Sequence, residues 1–212
     1  EVSVIRELTI KNIEKLLDMG AKSIVVACNT ATSAAVRVLR QMYPEIPLVG
    51  IEPAIKPAVE YKEKSRVVVM ATPMTLKQEK FQNLMKKYEN QAEIVPLPCP
   101  GLMEFVERGD LEGEDLYNYL SILFGSVNSK KIDSVVLGCT HYPFAKKAIE
   151  AVVGKDVQIF DGGEGTAREM RRRMQCASLI NPSKEKGTVK FINSKDTEEE
   201  RELCEFLLNL KM

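Results

Sequence analysis

The 212-residue sequence lacks several groups on which common classes of function depend. It has no tryptophan and a single histidine, His141, which excludes a metal site built from several imidazoles. Lys plus Arg and Asp plus Glu are each 30, so the basic excess that nucleic acids or anionic membranes attract is missing. No apolar run approaches the roughly 18 residues of a membrane span, and no signal peptide is visible. We therefore expect no nucleic acid, membrane or metal as a partner.

Cysteine is scarce and follows no ligand pattern. The five residues are Cys28, Cys99, Cys139, Cys176 and Cys204, and no two of them form a CxxC motif. An odd number at long spacings argues against a disulfide framework and against a zinc site. The sequence therefore predicts free thiols in a reducing cytoplasm.

Short β-branched segments alternate with helical patterns along the whole chain. The near-continuous apolar segments are typical of parallel strands that are covered on both faces. The first helix is expected over 2–19, because Gly20 is a natural residue to end it. This alternation predicts an α/β fold. The predicted strands are 23–27, 47–51, 66–71, 93–95, 134–138, 157–160 and 188–192, and 181–187 is a predicted surface loop.

One internal similarity divides the chain into two halves. Residues 23–30 align without gaps on residues 134–141, 111 positions further on, and both segments are a strand followed by Cys and two polar residues. Each is followed by a strand that ends in an acid, Glu52 or Asp161. The repeat predicts two pseudo-symmetric parallel-sheet lobes with the active site in the cleft between them. The expected lobes are 1–64 plus 157–212, and 65–156.

The repeat places Cys28 and Cys139 at equivalent positions, each where a strand turns into a helix. Ligands of open α/β sheets bind beyond the carboxyl ends of the strands, and helix N-termini favour anions. Two matched thiols facing one cleft suit a racemisation, in which one removes a proton and the other donates one to the opposite face. Contacts of about 3.5 Å to one carbon would put the sulfurs roughly 7–8 Å apart.

The alternative for any single cysteine is inert packing, because free cysteine usually behaves as a small buried hydrophobe. Cys99, Cys176 and Cys204 keep that interpretation, since two of them lie in amphipathic helical patterns and Cys99 lies in a proline-rich loop. Cys28 and Cys139 differ because both follow a strand and precede Asn, Thr or His.

Three segments around these residues resemble the signature segments of bacterial glutamate racemases. They are Ala-Cys-Asn-Thr-Ala at 27–31, Gly-Ile-Glu-Pro-Ala at 50–54 and Gly-Cys-Thr-His-Tyr-Pro at 138–143. Ala-Thr-Pro-Met-Thr at 71–75 also falls in order, and the resemblance covers nearly the whole chain. It implies a cofactor-independent, two-base interconversion of L- and D-glutamate, which supplies D-glutamate for peptidoglycan.

The resemblance also implies roles for individual residues. Cys28 would act on D-glutamate, Cys139 on L-glutamate, and Glu107 would pair with His141. The substrate would be held by Asn29, Thr30, Thr140 and His141. Thr72 and Thr75 are candidates for the same role, although a threonine at a strand-to-helix turn is more often a helix cap.

The family's first strand, which ends in Asp-Ser, has no counterpart in this sequence, and the repeat partner of strand 66–71 would lie before Glu1. We expect that roughly 30–50 residues, about one βαβ unit, are absent, with low activity and self-association through the uncovered sheet edge as consequences. A homodimer is the candidate assembly. Three interpretations stay open: a glutamate racemase, a related racemase with another substrate, and a non-catalytic protein on the same scaffold.

Overall fold

The computed structural model describes residues 1–127 and 130–210, and it confirms an alternation of strands and helices. The strands are β1 (Ile24–Val26), β2 (Leu48–Gly50), β3 (Arg66–Ala71), β4 (Glu93–Pro98), β5 (Ser134–Leu137) and β6 (Gln158–Asp161). The helices are α1 (Val2–Asp18), α2 (Asn29–Met42), α3 (Ile55–Glu60), α4 (Pro73–Leu76), α5 (Glu79–Tyr88), α6 (Leu102–Glu107), α7 (Glu114–Gly125), α8 (Lys146–Val153), α9 (Gly163–Cys176) and α10 (Glu198–Asn209), with a 3₁₀ helix at Tyr142–Ala145. None of the helices within these described ranges is long and apolar enough to cross a membrane.

A four-stranded parallel sheet with the order β4-β3-β5-β6 forms the centre of the larger lobe. Every residue of β3 and of β5 is buried, as expected for strands covered on both faces. Alternate residues of β3 enter two different apolar cores: Val68 packs on one face and Val67 on the other. The two predicted apolar segments therefore form the interior of this sheet.

A second sheet contains β1 and β2, paired in parallel. Helices α1 and α2 cover it with a core of its own, which includes Ile13, Val36 and Leu39. Helix α1 ends as predicted, since Gly20 directly after it has a φ of +88°, a backbone conformation that glycine adopts without strain. This sheet and its helices form the smaller lobe.

The lobe boundaries differ from the expected ones. Strand β6 was expected in the first lobe, but it pairs with β5 at the edge of the four-stranded sheet. Helix α3 also belongs to the larger lobe, because Ile55 and Ala58 pack in the same core as β3. Helix α9 returns to the smaller lobe, where Arg173 donates a hydrogen bond to the carbonyl of Leu48 at 3.3 Å.

The strand predicted at 188–192 is wrong, and the segment is irregular. Val189 is 62% and Ile192 44% exposed, so these β-branched residues reach no sheet edge and no core. β-propensity expresses packing on a half-buried surface, and it has no effect where that surface is missing. The predicted loop at 181–187 is confirmed, since this segment contains neither helix nor strand.

Candidate active site

Cys28 lies where the smaller sheet meets its helix. It follows β1 by two residues and is the residue at which α2 begins, with an extended backbone (φ −106°, ψ 126°). No side chain caps this helix end, and Cys28 is exposed. The first amide groups of a 14-residue helix are thus available beside an accessible thiol, which is an arrangement that favours an anion.

Cys139 lies at the equivalent position of the larger sheet, two residues after β5. The preceding residue, Gly138, fixes the position of Cys139. The amide of Gly138 donates to the carbonyl of Met70 at 2.7 Å, and a Cβ on residue 138 would lie 2.5 Å from that same oxygen. Burial raises the pKa of the half-buried Cys139 thiol, and the negative charge of Cys28 raises it further, against the lowering effect of the backbone amides of His141 and Thr140. Cys28 is therefore one of the groups that disfavour the thiolate form of Cys139.

This coupling predicts how the thiol of Cys139 titrates. We expect its thiolate to form above the ordinary cysteine pKa of about 8.5, because burial disfavours the charged form. The variant Cys28→Ser is expected to lower the pKa of Cys139, since it removes a neighbouring negative charge. The measurement is the pH dependence of alkylation by iodoacetamide, followed at each cysteine by mass spectrometry.

Cys204→Ser is the matched control, because Cys204 lies on α10 and is not among the groups that shift Cys139. It is expected to leave the alkylation profile of Cys139 unchanged. An identical profile for Cys139 in the Cys28→Ser variant and in the parent would contradict the proximity of the two thiols.

His141 connects Cys139 to a carboxylate. Its Nε2 lies 2.6 Å from Oε1 of Glu107, and its Nδ1 lies 3.7 Å from the sulfur of Cys139. A carboxylate only accepts, so the proton on this contact belongs to Nε2. Nδ1 then accepts from the Cys139 thiol when the ring is neutral and donates to the thiolate when the ring is charged. The contact between Glu107 and His141 that the resemblance implies is present.

Polar contacts join the lobes beside the thiols. Nδ2 of Asn29 donates to the carbonyl of Gly138 at 2.8 Å, and the hydroxyls of Thr30 and Thr75 lie 2.9 Å apart. Asn29 is only 6% and Thr75 only 2% exposed, so neither side chain opens widely to the cleft. Thr72 caps α4 by accepting from the amide of Thr75, as expected of a threonine at such a turn.

The remaining predicted residues lie on either side of this centre. Thr140 is half-buried and contributes its backbone amide to the environment of Cys139. Cys99 is 2% exposed, and burial raises its pKa to about 12, which fits the inert role that the sequence indicated. Cys176 is exposed on α9 and Cys204 is half-buried on α10.

Sequence reasoning missed two partners. Lys80 of α5 pairs with Glu52 at 2.8 Å, although Glu52 was noted only as the acid at a strand end. The carbonyl of Gly138 accepts from Asn29, although the sequence indicated Gly138 only as the first residue of the segment 138–143. A long-range basic partner and a backbone acceptor leave no pattern in a single sequence.

The chain is similar to known racemases along most of its length. Residues 4–170 match the family of Asp/Glu/hydantoin racemases. A glutamate racemase of Clostridium perfringens is 51% identical over 207 residues, which are 98% of this chain and 80% of that protein. One of Clostridium novyi is 50% identical over 199 residues, which are 94% of this chain and 77% of that protein.

Solved structures agree with this at the level of the fold. The crystal structure of glutamate racemase from Francisella tularensis in complex with D-glutamate superposes with a TM-score of 0.82, over 100% of this chain and 79% of that one, at 23% identity. The family match, the two sheets and the paired cysteines agree with one another. The chain belongs to the Asp/Glu/hydantoin racemases and, within them, to the glutamate racemases, which are isomerases.

Proposed function

We propose that the chain interconverts L- and D-glutamate with Cys139 and Cys28 as the two bases. The observation that carries this is the placement of the two thiols at equivalent strand ends of two lobes, which a buried hydrogen bond from Asn29 to Gly138 joins directly beside them. Glutamate as the substrate follows from the relatives, which are glutamate racemases at about half identity. That identity also makes another substrate the weaker alternative.

The proton transfers balance without a cofactor. The thiolate of Cys139 takes the α-proton of L-glutamate, which leaves a carbanion stabilised by the adjacent carboxylate. The thiol of Cys28 gives its proton to the opposite face, and this forms D-glutamate. Cys139 is then a thiol and Cys28 a thiolate, and exchange of protons with solvent restores the starting form. The reverse reaction begins with Cys28 on D-glutamate.

The charges around the thiols suit a substrate with two carboxylates. The free amide groups at the start of α2, which begins with Asn29 and Thr30, are suited to hold one carboxylate. Thr140 and His141 lie beside the other thiol and are suited to bind the rest of the substrate. In this proposal Glu107 orients His141 and does not touch the substrate.

The proposal is tested by incubating the protein with L-glutamate in deuterium oxide. We expect D-glutamate to form with one solvent deuterium at the α-carbon, because the proton it receives comes from an exchanged thiol. Circular dichroism follows the inversion, and NMR locates the deuterium. Formation of D-glutamate that keeps the original α-proton would contradict two separate bases, and no turnover of either enantiomer would favour a non-catalytic scaffold.

We further propose that the reaction takes place in the cytoplasm and supplies D-glutamate for peptidoglycan. All five cysteines are free, as expected in a reducing compartment. Depletion of the protein in its host is expected to stop growth unless D-glutamate is added. Growth that continues without added D-glutamate would contradict this role.

We also propose that the protein self-associates through apolar groups of the smaller lobe. Val4 and Leu8 lie one turn apart on α1 and are 49% and 56% exposed, and Val25 of β1 is 44% exposed. A second copy would remove these groups from water. Sedimentation velocity is expected to show concentration-dependent association that Leu8→Gln reduces and that Glu7→Gln, an exposed neighbour, does not. Equal association in both variants would contradict the proposed surface.

A further inference from the structure

A buried hydrogen bond joins the two segments that carry the thiols. Nδ2 of Asn29 donates to the carbonyl oxygen of Gly138 at 2.8 Å, across 109 residues of sequence. Asn29 directly follows Cys28, and Gly138 directly precedes Cys139. The bond therefore connects the immediate neighbours of the two proposed bases.

Both ends of this bond are held in place. A carbonyl oxygen only accepts, so the amide nitrogen of Asn29 must face Gly138. Asn29 is fixed as the first residue of α2 and is only 6% exposed. Gly138 is fixed by its own amide, which donates to Met70, and any side chain there would collide with that carbonyl. A shift of either loop must therefore break the bond or move the other loop with it.

We infer that Asn29 is a positioning residue that sets the distance between the thiols of Cys28 and Cys139 by holding Gly138. This inference rests on the proposed two-base function and adds a determinant of its geometry. This bond uses one N–H of the Asn29 amide, and the buried Oδ1 of Asn29 accepts no hydrogen bond from the described residues.

The two halves of the reaction depend on this distance differently. Removal of the α-proton needs only one thiol in contact with the substrate. Inversion also needs the second thiol on the opposite face while the carbanion exists. When the second thiol is misplaced, the carbanion persists while the proton on the first thiol exchanges with solvent deuterium. The first thiol then returns deuterium to the same face, and the substrate regains its original configuration with an α-deuterium.

The test separates these outcomes with Asn29→Asp and Asn29→Ser in deuterium oxide. Aspartate keeps the shape but has no proton for Gly138, and serine is too short to reach it. The quantity measured is a ratio: the amount of recovered L-glutamate that carries α-deuterium, divided by the amount of D-glutamate formed, both taken early in the reaction of L-glutamate. We expect this ratio to rise about tenfold in both variants, because a displacement on the order of 1 Å strongly slows a transfer that depends on alignment.

Thr32→Val is the matched control. Thr32 is a buried residue of the same helix, 3% exposed, and its hydroxyl donates to the carbonyl of Val26 at 3.0 Å. That bond stays within the smaller lobe. Thr32→Val is expected to lower the melting temperature without changing the ratio, as a purely structural role would do.

An unchanged ratio in a folded Asn29 variant would overturn the inference, and so would an equal rise in Thr32→Val. Should neither Asn29 variant melt cooperatively, Asn29→Ala removes the same donor without placing a new polar group at this buried position, and it is expected to raise the ratio likewise. A parent protein that does not invert glutamate contradicts the proposed function itself. The two failures are therefore distinguishable.

Discussion

Replacing Cys28 or Cys139 with serine is expected to reduce the racemisation of glutamate by about 10³-fold, the middle of the range for general acid–base groups. A serine hydroxyl is too weak an acid to exist as an anion near neutral pH. Each variant therefore lacks one of the two groups that the proposed mechanism uses. Circular dichroism with each pure enantiomer measures the loss.

The loss in kcat/KM must be the same whether L-glutamate or D-glutamate is the substrate. The two enantiomers have equal free energy, so the equilibrium constant is one and fixes the ratio of the two kcat/KM values. The role of each thiol is therefore assigned by isotope exchange. In deuterium oxide, Cys28→Ser is expected to exchange the α-proton of L-glutamate, since Cys139 still removes it and the proton on the Cys139 thiol is replaced by solvent deuterium before its return. By the same steps on Cys28, Cys139→Ser is expected to exchange the α-proton of D-glutamate. The reverse pattern would assign Cys28 to L-glutamate and Cys139 to D-glutamate.

Cys176→Ser provides the control for this experiment. Cys176 is an exposed cysteine at the end of α9, so its substitution leaves both proposed bases in place. Turnover within error of the parent is expected. Substantial inversion by Cys28→Ser or by Cys139→Ser would reject the two-cysteine mechanism.

The variant His141→Asn is expected to lower kcat/KM by about 10- to 100-fold. The ring contacts the thiol of Cys139 through Nδ1 and the carboxylate of Glu107 through Nε2, and a hydrogen bond to a charged group contributes about 1.5–3 kcal/mol. Asparagine preserves polarity but cannot take up a proton from the thiol. Steady-state kinetics with both enantiomers measures the effect, and kcat/KM equal to that of the parent would contradict it.

Glu107→Gln tests whether the carboxylate acts through the imidazole. It is expected to lower kcat/KM less than His141→Asn does, and to have no further effect in the His141→Asn background. Glu104→Gln is the matched control, because Glu104 is an exposed acid of the same helix. Additive losses from Glu107→Gln and His141→Asn would show that the carboxylate has a separate role.

The local pattern of the chain determined much of what the structure contains. Buried strands cover both faces of their sheet, so β3 and β5 are apolar throughout and were predicted close to their actual bounds. The 111-residue repeat was sufficient to relate Cys28 to Cys139, since parallel strands present their carboxyl ends at one edge. The partnership of Glu107 with His141 came from the resemblance to a known family.

The tertiary structure alone decided which distant groups meet. Strand β6 has the same apolar character whichever sheet it joins, and its pairing with β5 depends on how the crossover packs. Residues 188–192 have the composition of a strand, but no sheet edge lies within their reach. Asn29 reaches Gly138 only because two separately covered sheets pack with their thiol-bearing ends together. Periodicity records which face of an element is buried, whereas a hydrogen bond across 109 residues depends on the position of the whole backbone between them.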